Sequence, residues 1–232
     1  MDTPHQAALE LASRLGLAFG DPALLSLALT HPSYSRESGG GDNQRLEFLG
    51  DSVIGLIVAS DLYDANPDRP EGDLTRMKVE AVRGRTLAAA AKRLGVAEAL
   101  VMGRGADITG DRGRDSVLEA AFEALVGAVF LDQGLDGAAA FVREHLGVLL
   151  GSEALHAAAD DPKNVLQEAT QAHGVGLPAY RIVGRSGPVH QPIFVAEVEV
   201  AGRIVGRGEG GSKQAAQKDA ARVAVEALYP AR

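Results

Sequence analysis

The 232-residue chain has no cysteine, which removes disulfides, thiolate metal sites and a catalytic thiol together. It shows no apolar stretch approaching the ~18 residues of a membrane span, so no membrane partner is expected. The N-terminus carries Asp2 and Glu10 and lacks a basic-then-apolar leader, so no secretory signal is visible. These absences fit a reducing compartment, and a cytoplasmic location is the expectation. No period of roughly 20 to 50 residues recurs, which argues against a solenoid. Positive charge is also short: 23 Lys and Arg face 31 Asp and Glu, for a net charge of −8. Taken whole, that balance argues against nucleic acid, because phosphate binding needs cationic surface.

What is present changes that inference. Hydrophobic residues make up 46% and charged residues 23%, an ordinary globular composition with enough chain for a real core in one or two domains. The charge is uneven. Residues 161–232 hold nine Lys/Arg and seven Asp/Glu, net +2, leaving fourteen and twenty-four in the first 160, net −10. The small and polar stretch from Gly151 to Asp161 reads as a linker. The division expected is 1–151, a linker at 152–160, and a second domain over 161–229.

The first part has helical periodicity. Asp21-Pro22 is an N-cap and first-turn pair, followed by Leu24, Leu25, Ala28 and Leu29 until Pro32 ends the run. Leu46, Leu49, Val53 and Ile57 recur at helical spacing between Asn43 and Ala65. Further helices are predicted at Leu74–Leu94, Ser116–Leu131 and Gly137–Leu149, giving an all-α domain. The second part changes period. A short helix over Pro162–His173 precedes strands at Ala179–Arg185, Ile193–Ala201 and Arg203–Arg207, with Phe194, Ala196, Val198 and Val200 on one face. Ser212 then caps a helix with Ala216, Ala220, Val223, Ala224 and Ala227 on its apolar side. The order is αβββα, an α+β domain.

Two acidic pairs stand out. In NQRLEFLGDS (43–52), Glu47 and Asp51 are four apart, one turn from each other on one side of a helix. Stacked acids repel, and a hard divalent cation held by carboxylate oxygens is the simplest reason to keep them; the plainer reading is a solvated acidic flank. In SVLEAAFEALVGAVFLD (116–132), Glu119 and Glu123 repeat the spacing inside a far more apolar segment. If the two helices pack together, Glu47, Asp51 and Glu123 surround one ion, which suits metal-assisted phosphodiester hydrolysis.

These residues resemble the ribonuclease III family of double-stranded-RNA endonucleases. NQRLEFLGDS matches its signature. Leu29-Thr30-His31-Pro32-Ser33-Tyr34, Glu71-Gly72-Asp73-Leu74-Thr75, Gly103-Arg104-Gly105, Phe122-Glu123-Ala124-Leu125 and Phe130-Leu131-Asp132 follow in the family's order. The resemblance implies a helical endonuclease domain that forms a homodimer, with each of two acidic sites cutting one RNA strand to leave 5′-phosphate and 3′-hydroxyl ends. It also implies a magnesium site, with manganese a possible substitute, and a role in ribosomal and other RNA processing. Glu47, Asp51 and Glu123 match its metal positions, Asp51 and Glu123 its catalytic pair. Phe48 matches an aromatic that inserts into the partner subunit, although an ordinary core phenylalanine fits the sequence equally. Two positions depart from the pattern. Gln44 stands where the family usually has Glu, and Ala120 where it usually has a metal-binding Asp. On a helix, positions 119 and 120 flank the direction of Glu123 from opposite sides, ~40° and ~60° away. Glu119 therefore either reaches the ion from the other side or is a bystander, in which case Ala120 marks a natural loss or an engineered inactivation.

The second part resembles the family's double-stranded-RNA-binding domain, in Asp161-Pro162-Lys163-Asn164-Val165-Leu166-Gln167-Glu168, Pro178-Ala179-Tyr180, Gly187-Pro188-Val189-His190 and Gly206-Arg207-Gly208-Glu209-Gly210-Gly211-Ser212-Lys213. A-form RNA hides its bases, so such domains read shape, 2′-hydroxyls and phosphates over ~16 base pairs. Gln167 and Glu168 are candidates for one minor groove, and Pro188 and His190 for the next. Ser212, Lys213, Gln214, Gln217 and Lys218 surround a helix N-terminus suited to phosphate. The alternative to a magnesium-dependent endoribonuclease is a double-stranded-RNA-binding protein whose cleavage is crippled at Ala120.

Overall fold

The computed structural model describes residues 3–150, 161–188 and 190–228. The chain divides into two units, Met1–Leu155 and His156–Arg232; the expected linker at 152–160 lies outside the described residues.

Among the described residues of the N-terminal unit, eight α-helices precede a central one: α1 (Thr3–Arg14), α2 (Pro22–Ala28), α3 (Pro32–Ser38), α4 (Gln44–Ala65), α5 (Glu71–Ala81), α6 (Gly84–Arg93), α7 (Val96–Ala99), α8 (Arg104–Ile108) and α9 (Asp115–Leu150). By length and composition α9 is apolar enough to cross a membrane, contrary to the expectation that no such stretch exists. Its apolar residues go into the core instead. Leu118, Ala121, Phe122, Ala124, Leu125, Val126, Ala128 and Val129 are all buried, with α4 and α6 packed along the helix. A helix apolar on every side is what the centre of an all-α domain requires.

Other boundaries move for identifiable reasons. The two helices predicted at Ser116–Leu131 and Gly137–Leu149 are continuous except for a kink at Gly134, whose φ of 73° is open to glycine without steric cost. The single helix predicted over Leu74–Leu94 breaks, because Val82 ends α5 and Arg83 is extended (φ −63°, ψ 138°). That turn aims Leu87, Ala88, Ala90 and Ala91 of α6 inward. Pro32 opens α3 rather than merely closing α2, which stops at Ala28 with Leu29 as its C-cap. Asp21 caps α2 as the sequence suggests, its side chain accepting from the Ala23 amide at 2.9 Å.

The C-terminal unit runs α10 (Pro162–Ala172), β1 (Ala179–Ser186), β2 (Ile193–Val200), β3 (Arg203–Gly210) and α11 (Lys213–Leu228). The sheet is antiparallel in the order β1-β2-β3. Asp161 caps α10 through the Lys163 amide at 3.0 Å. Ala201 and Gly202 both take positive φ, 50° and 75°, the backbone of a tight two-residue hairpin turn. Leu166, Ala196, Val198, Ala216, Ala220, Ala221 and Ala224 form the core. β3 extends past the expected Arg207 to Gly210 because Gly206, Gly208 and Gly210 face α11; a Cβ on any of them would run into that helix's backbone or Ala215. Of the predicted apolar face of α11, Val223 is half-buried and Ala227 exposed, while Ala221 is buried instead.

Candidate active site and RNA-facing surface

The two acid-bearing helices meet, which spacing alone could not establish. α4 and α9 touch backbone to backbone through a pair of glycines. A Cβ on Gly50 would fall inside the carbonyl of Glu123, and one on Gly127 inside the carbonyl of Leu46. The contact places Glu47 and Asp51 of α4 beside Glu119 and Glu123 of α9. Sequence reasoning missed both glycines as site determinants; the available signal was a small residue interrupting each apolar stripe.

The four carboxylates differ in burial. Asp51 is exposed, Glu47 and Glu119 are half-buried, and Glu123 is only 8% exposed. Burial, followed by repulsion from Asp51, Glu119 and Glu47, pushes the Glu123 carboxyl up to about 8. Burial, then Glu119 and Asp42, also raises Glu47 above the usual carboxylate range. Among the described residues, no hydrogen bond or ion pair neutralises any of the four side chains. A buried acid without a partner is costly. An all-oxygen set of this kind fits a hard divalent cation. The acids are neighbours rather than a finished cage, since among the described residues no three acidic or histidine side chains already stand as a coordination sphere.

Phe48 is 78% exposed, so the core reading of this residue is wrong. Leu56 and Tyr63 of the same helix are 57% and 71% exposed. At ~100° per residue the three fall within ~80° of one another on α4, an apolar stripe facing solvent. Gln44 is exposed at the start of the helix. Ala120 is half-buried beside the acids and brings no donor.

In the C-terminal unit, Gln167, Glu168, Pro188, His190, Ser212, Lys213 and Gln214 are all exposed; Val189 between the two loop candidates lies outside the described residues. The Ser212 hydroxyl caps α11, accepting from the Ala215 amide at 3.1 Å. Gln217 and Lys218 are engaged within the domain. The Gln217 side-chain oxygen accepts from Lys163 Nζ at 3.1 Å, and Lys218 pairs with Asp161 at 2.6 Å. Both tie α11 to the start of α10. Lys163 also stands 4.4 Å from the centre of the Tyr180 ring.

Residues 21–148 match the ribonuclease-III-like family model and residues 162–228 the double-stranded RNA binding motif. The chain belongs to the ribonuclease III family. It is 45% identical to ribonuclease 3 of Thermobifida fusca over 90% of this chain and 88% of that one. Identity to ribonuclease 3 of Leifsonia xyli is 43%, over 98% and 94% of the two chains. Among solved structures, the nuclease domain of ribonuclease III from Campylobacter jejuni aligns with a TM-score of 0.58 at 30% identity, over 62% of this chain and 96% of that one. Ribonuclease III enzymes are divalent-metal-dependent endonucleases of double-stranded RNA, and this chain has both parts such an enzyme needs: a helical nuclease domain and an RNA-binding αβββα domain. Against that background the acids on α4 and α9 are the candidate ribonuclease III centre.

Proposed function

We propose that this chain is a magnesium-dependent, homodimeric ribonuclease III that cuts double-stranded RNA to 5′-phosphate and 3′-hydroxyl ends, acting in the cytoplasm on ribosomal and other RNA. The observation that carries the reading is the group of unneutralised carboxylates across α4 and α9, with Glu123 buried at its centre. Glu47, Asp51 and Glu123 are the residues that would hold the ion. Magnesium suits an oxygen-only set, and manganese accepts the same donors. When bound, the metal supplies a Lewis acid for the phosphate and an activated water. Asp51, at the exposed rim, meets solvent and RNA; Glu123 anchors the ion from within the helix pair.

For RNA, Lys213, Gln214 and the first amides of α11 face phosphate, while Gln167 and Glu168 on α10 and Pro188 and His190 in the β1–β2 loop address successive minor grooves. The exposed stripe of Phe48, Leu56 and Tyr63 supports self-association. A second structure of the C. jejuni nuclease domain is described as flexible in a region involved in dimer formation, so that relative assembles through this domain. The relatives named above are all ribonucleases, so the binding-only alternative rests on Ala120 alone.

The test is a long RNA duplex incubated with the purified chain, with and without magnesium, beside Asp51→Asn and Ala120→Asp. Magnesium-dependent cutting by the unaltered chain is expected, together with loss of cutting but not of RNA binding in Asp51→Asn. Cutting that survives Asp51→Asn would sink the site assignment; cutting only by Ala120→Asp would restore the binding-only alternative. Sedimentation of Phe48→Asp checks the dimer, with a monomer expected.

A further inference from the structure

Glu119 is positioned as more than a bystander. Its carboxylate lies directly against Gly84, the first residue of α6; a Cβ at position 84 would overlap the carboxyl group. The absence of a side chain there gives Glu119 its place. From that place it faces both helices of the site, repelling Glu47 on α4 and Glu123 on its own helix. Among the described residues it has no hydrogen bond or ion pair. A carboxylate serving only to fasten α9 to α6 would be expected to bond to one of the free amides of that helix start, and none does so here. Glu123, 8% exposed and without a hydrogen-bond or ion-pair partner among the described residues, independently points to a cationic ligand, and Ala120, the residue next to Glu119, has no oxygen to offer.

We propose that Glu119 is a ligand of the divalent cation, supplying from its own side of α9 the carboxylate that Ala120 lacks, with Gly84 as the residue that makes room for it. The proposal rests on the metal-site reading above. Glu119 would serve as a donor to the ion together with Glu47, Asp51 and Glu123. Gly84 then becomes a positioning residue: it touches no ion, and acts by leaving space.

Manganese titration of the full-length chain without RNA, followed by electron paramagnetic resonance, tests this independently of cleavage. Glu119→Gln keeps the size of the side chain and is expected to weaken manganese binding by at least ~10-fold, the lower end for disturbing a metal site. Gly84→Ala should weaken it in the same direction while leaving every carboxylate in place. Adding Ala120→Asp to Glu119→Gln should recover affinity, because either position then serves one ligand role. If Glu119→Gln binds manganese like the unaltered chain while Asp51→Asn and Glu123→Gln bind weakly, the site stands and Glu119 has no part in it. A lowered melting temperature with unchanged manganese affinity assigns Glu119 to packing on α6 and likewise overturns the proposal. If none of these variants alters manganese binding, the metal-site reading itself fails, and the role of Glu119 with it.

Discussion

Replacing Glu123 with glutamine should stabilise the metal-free protein at neutral and alkaline pH while abolishing cleavage. The side chain is 8% exposed, crowded by three other acids, and its carboxyl is lifted from 4.5 to about 8. An acid with a raised folded pKa holds a proton that the unfolded chain has already released between those two values. Folding stability therefore falls as pH climbs from about 4.5 to about 8, and the unfavourable contribution is complete above the upper value. A gap of about 3.5 pH units corresponds to ~5 kcal/mol at most. At pH 7 the same linkage gives ~3 kcal/mol, and at pH 5 less than ~1 kcal/mol. Glutamine preserves the shape and never ionises, so it recovers most of that difference.

The assay is thermal unfolding of the N-terminal unit in EDTA at several pH values. In a unit of this size ~1 kcal/mol moves the midpoint by ~2–4 °C, so the variant should melt ~6–12 °C higher at pH 7 and almost level with the parent at pH 5. Magnesium should narrow the difference by stabilising the parent, since a ligand that binds only the folded state adds its binding free energy to folding. A difference independent of pH, or a variant that melts lower at pH 8.5, refutes the reasoning, because it would mean the Glu123 carboxyl is already satisfied in the fold.

Gly50→Ala forces α4 away from the Glu123 carbonyl; a cost of at least ~1–3 kcal/mol in urea unfolding is expected, with loss of cleavage. Lys213→Ala, at the exposed first turn of α11, should weaken duplex-RNA binding and reduce the magnitude of the log K against log salt slope by ~1, without changing the melting temperature. Lys218→Ala should behave differently, lowering the stability of the C-terminal unit by up to ~1 kcal/mol through loss of the Asp161 pair and changing the salt slope less than Lys213→Ala does.

Much of this was legible in the amino-acid order, and the rest was hidden for physical reasons. Spacing of four residues put Glu47 with Asp51 and Glu119 with Glu123 on shared helix faces, because helical periodicity is a local property. That the two faces meet depends on Gly50 and Gly127, whose effect lies in the missing Cβ and in which backbone comes close. Phe48 could not be assigned to core or surface because α4 is apolar on more than one side, and only packing decides which side stays wet. The break between α5 and α6 carries no proline; it exists because α6 must turn its alanines toward the core, a tertiary demand. The Lys218–Asp161 pair was hidden because the two residues are remote in sequence and adjacent only after the C-terminal unit folds.

Charge shows the same dependence on scale. The net −8 is an average over two units with opposite requirements. In the N-terminal unit the field at Glu123 comes from Asp51, Glu119 and Glu47, so negative charge concentrated there attracts the cation that an acidic active site needs before it can approach phosphate. In the C-terminal unit the surplus from residue 161 onward is only +2, and the Lys218–Asp161 ion pair and the Lys163–Gln217 hydrogen bond already engage two of its cations internally. Few lysines then remain to release counterions, and affinity for RNA has to come in larger part from the fit of α10, the β1–β2 loop and the start of α11 to successive grooves. An acidic protein can therefore bind a polyanion, provided that its acids hold metal in one unit and its recognition of shape resides in the other.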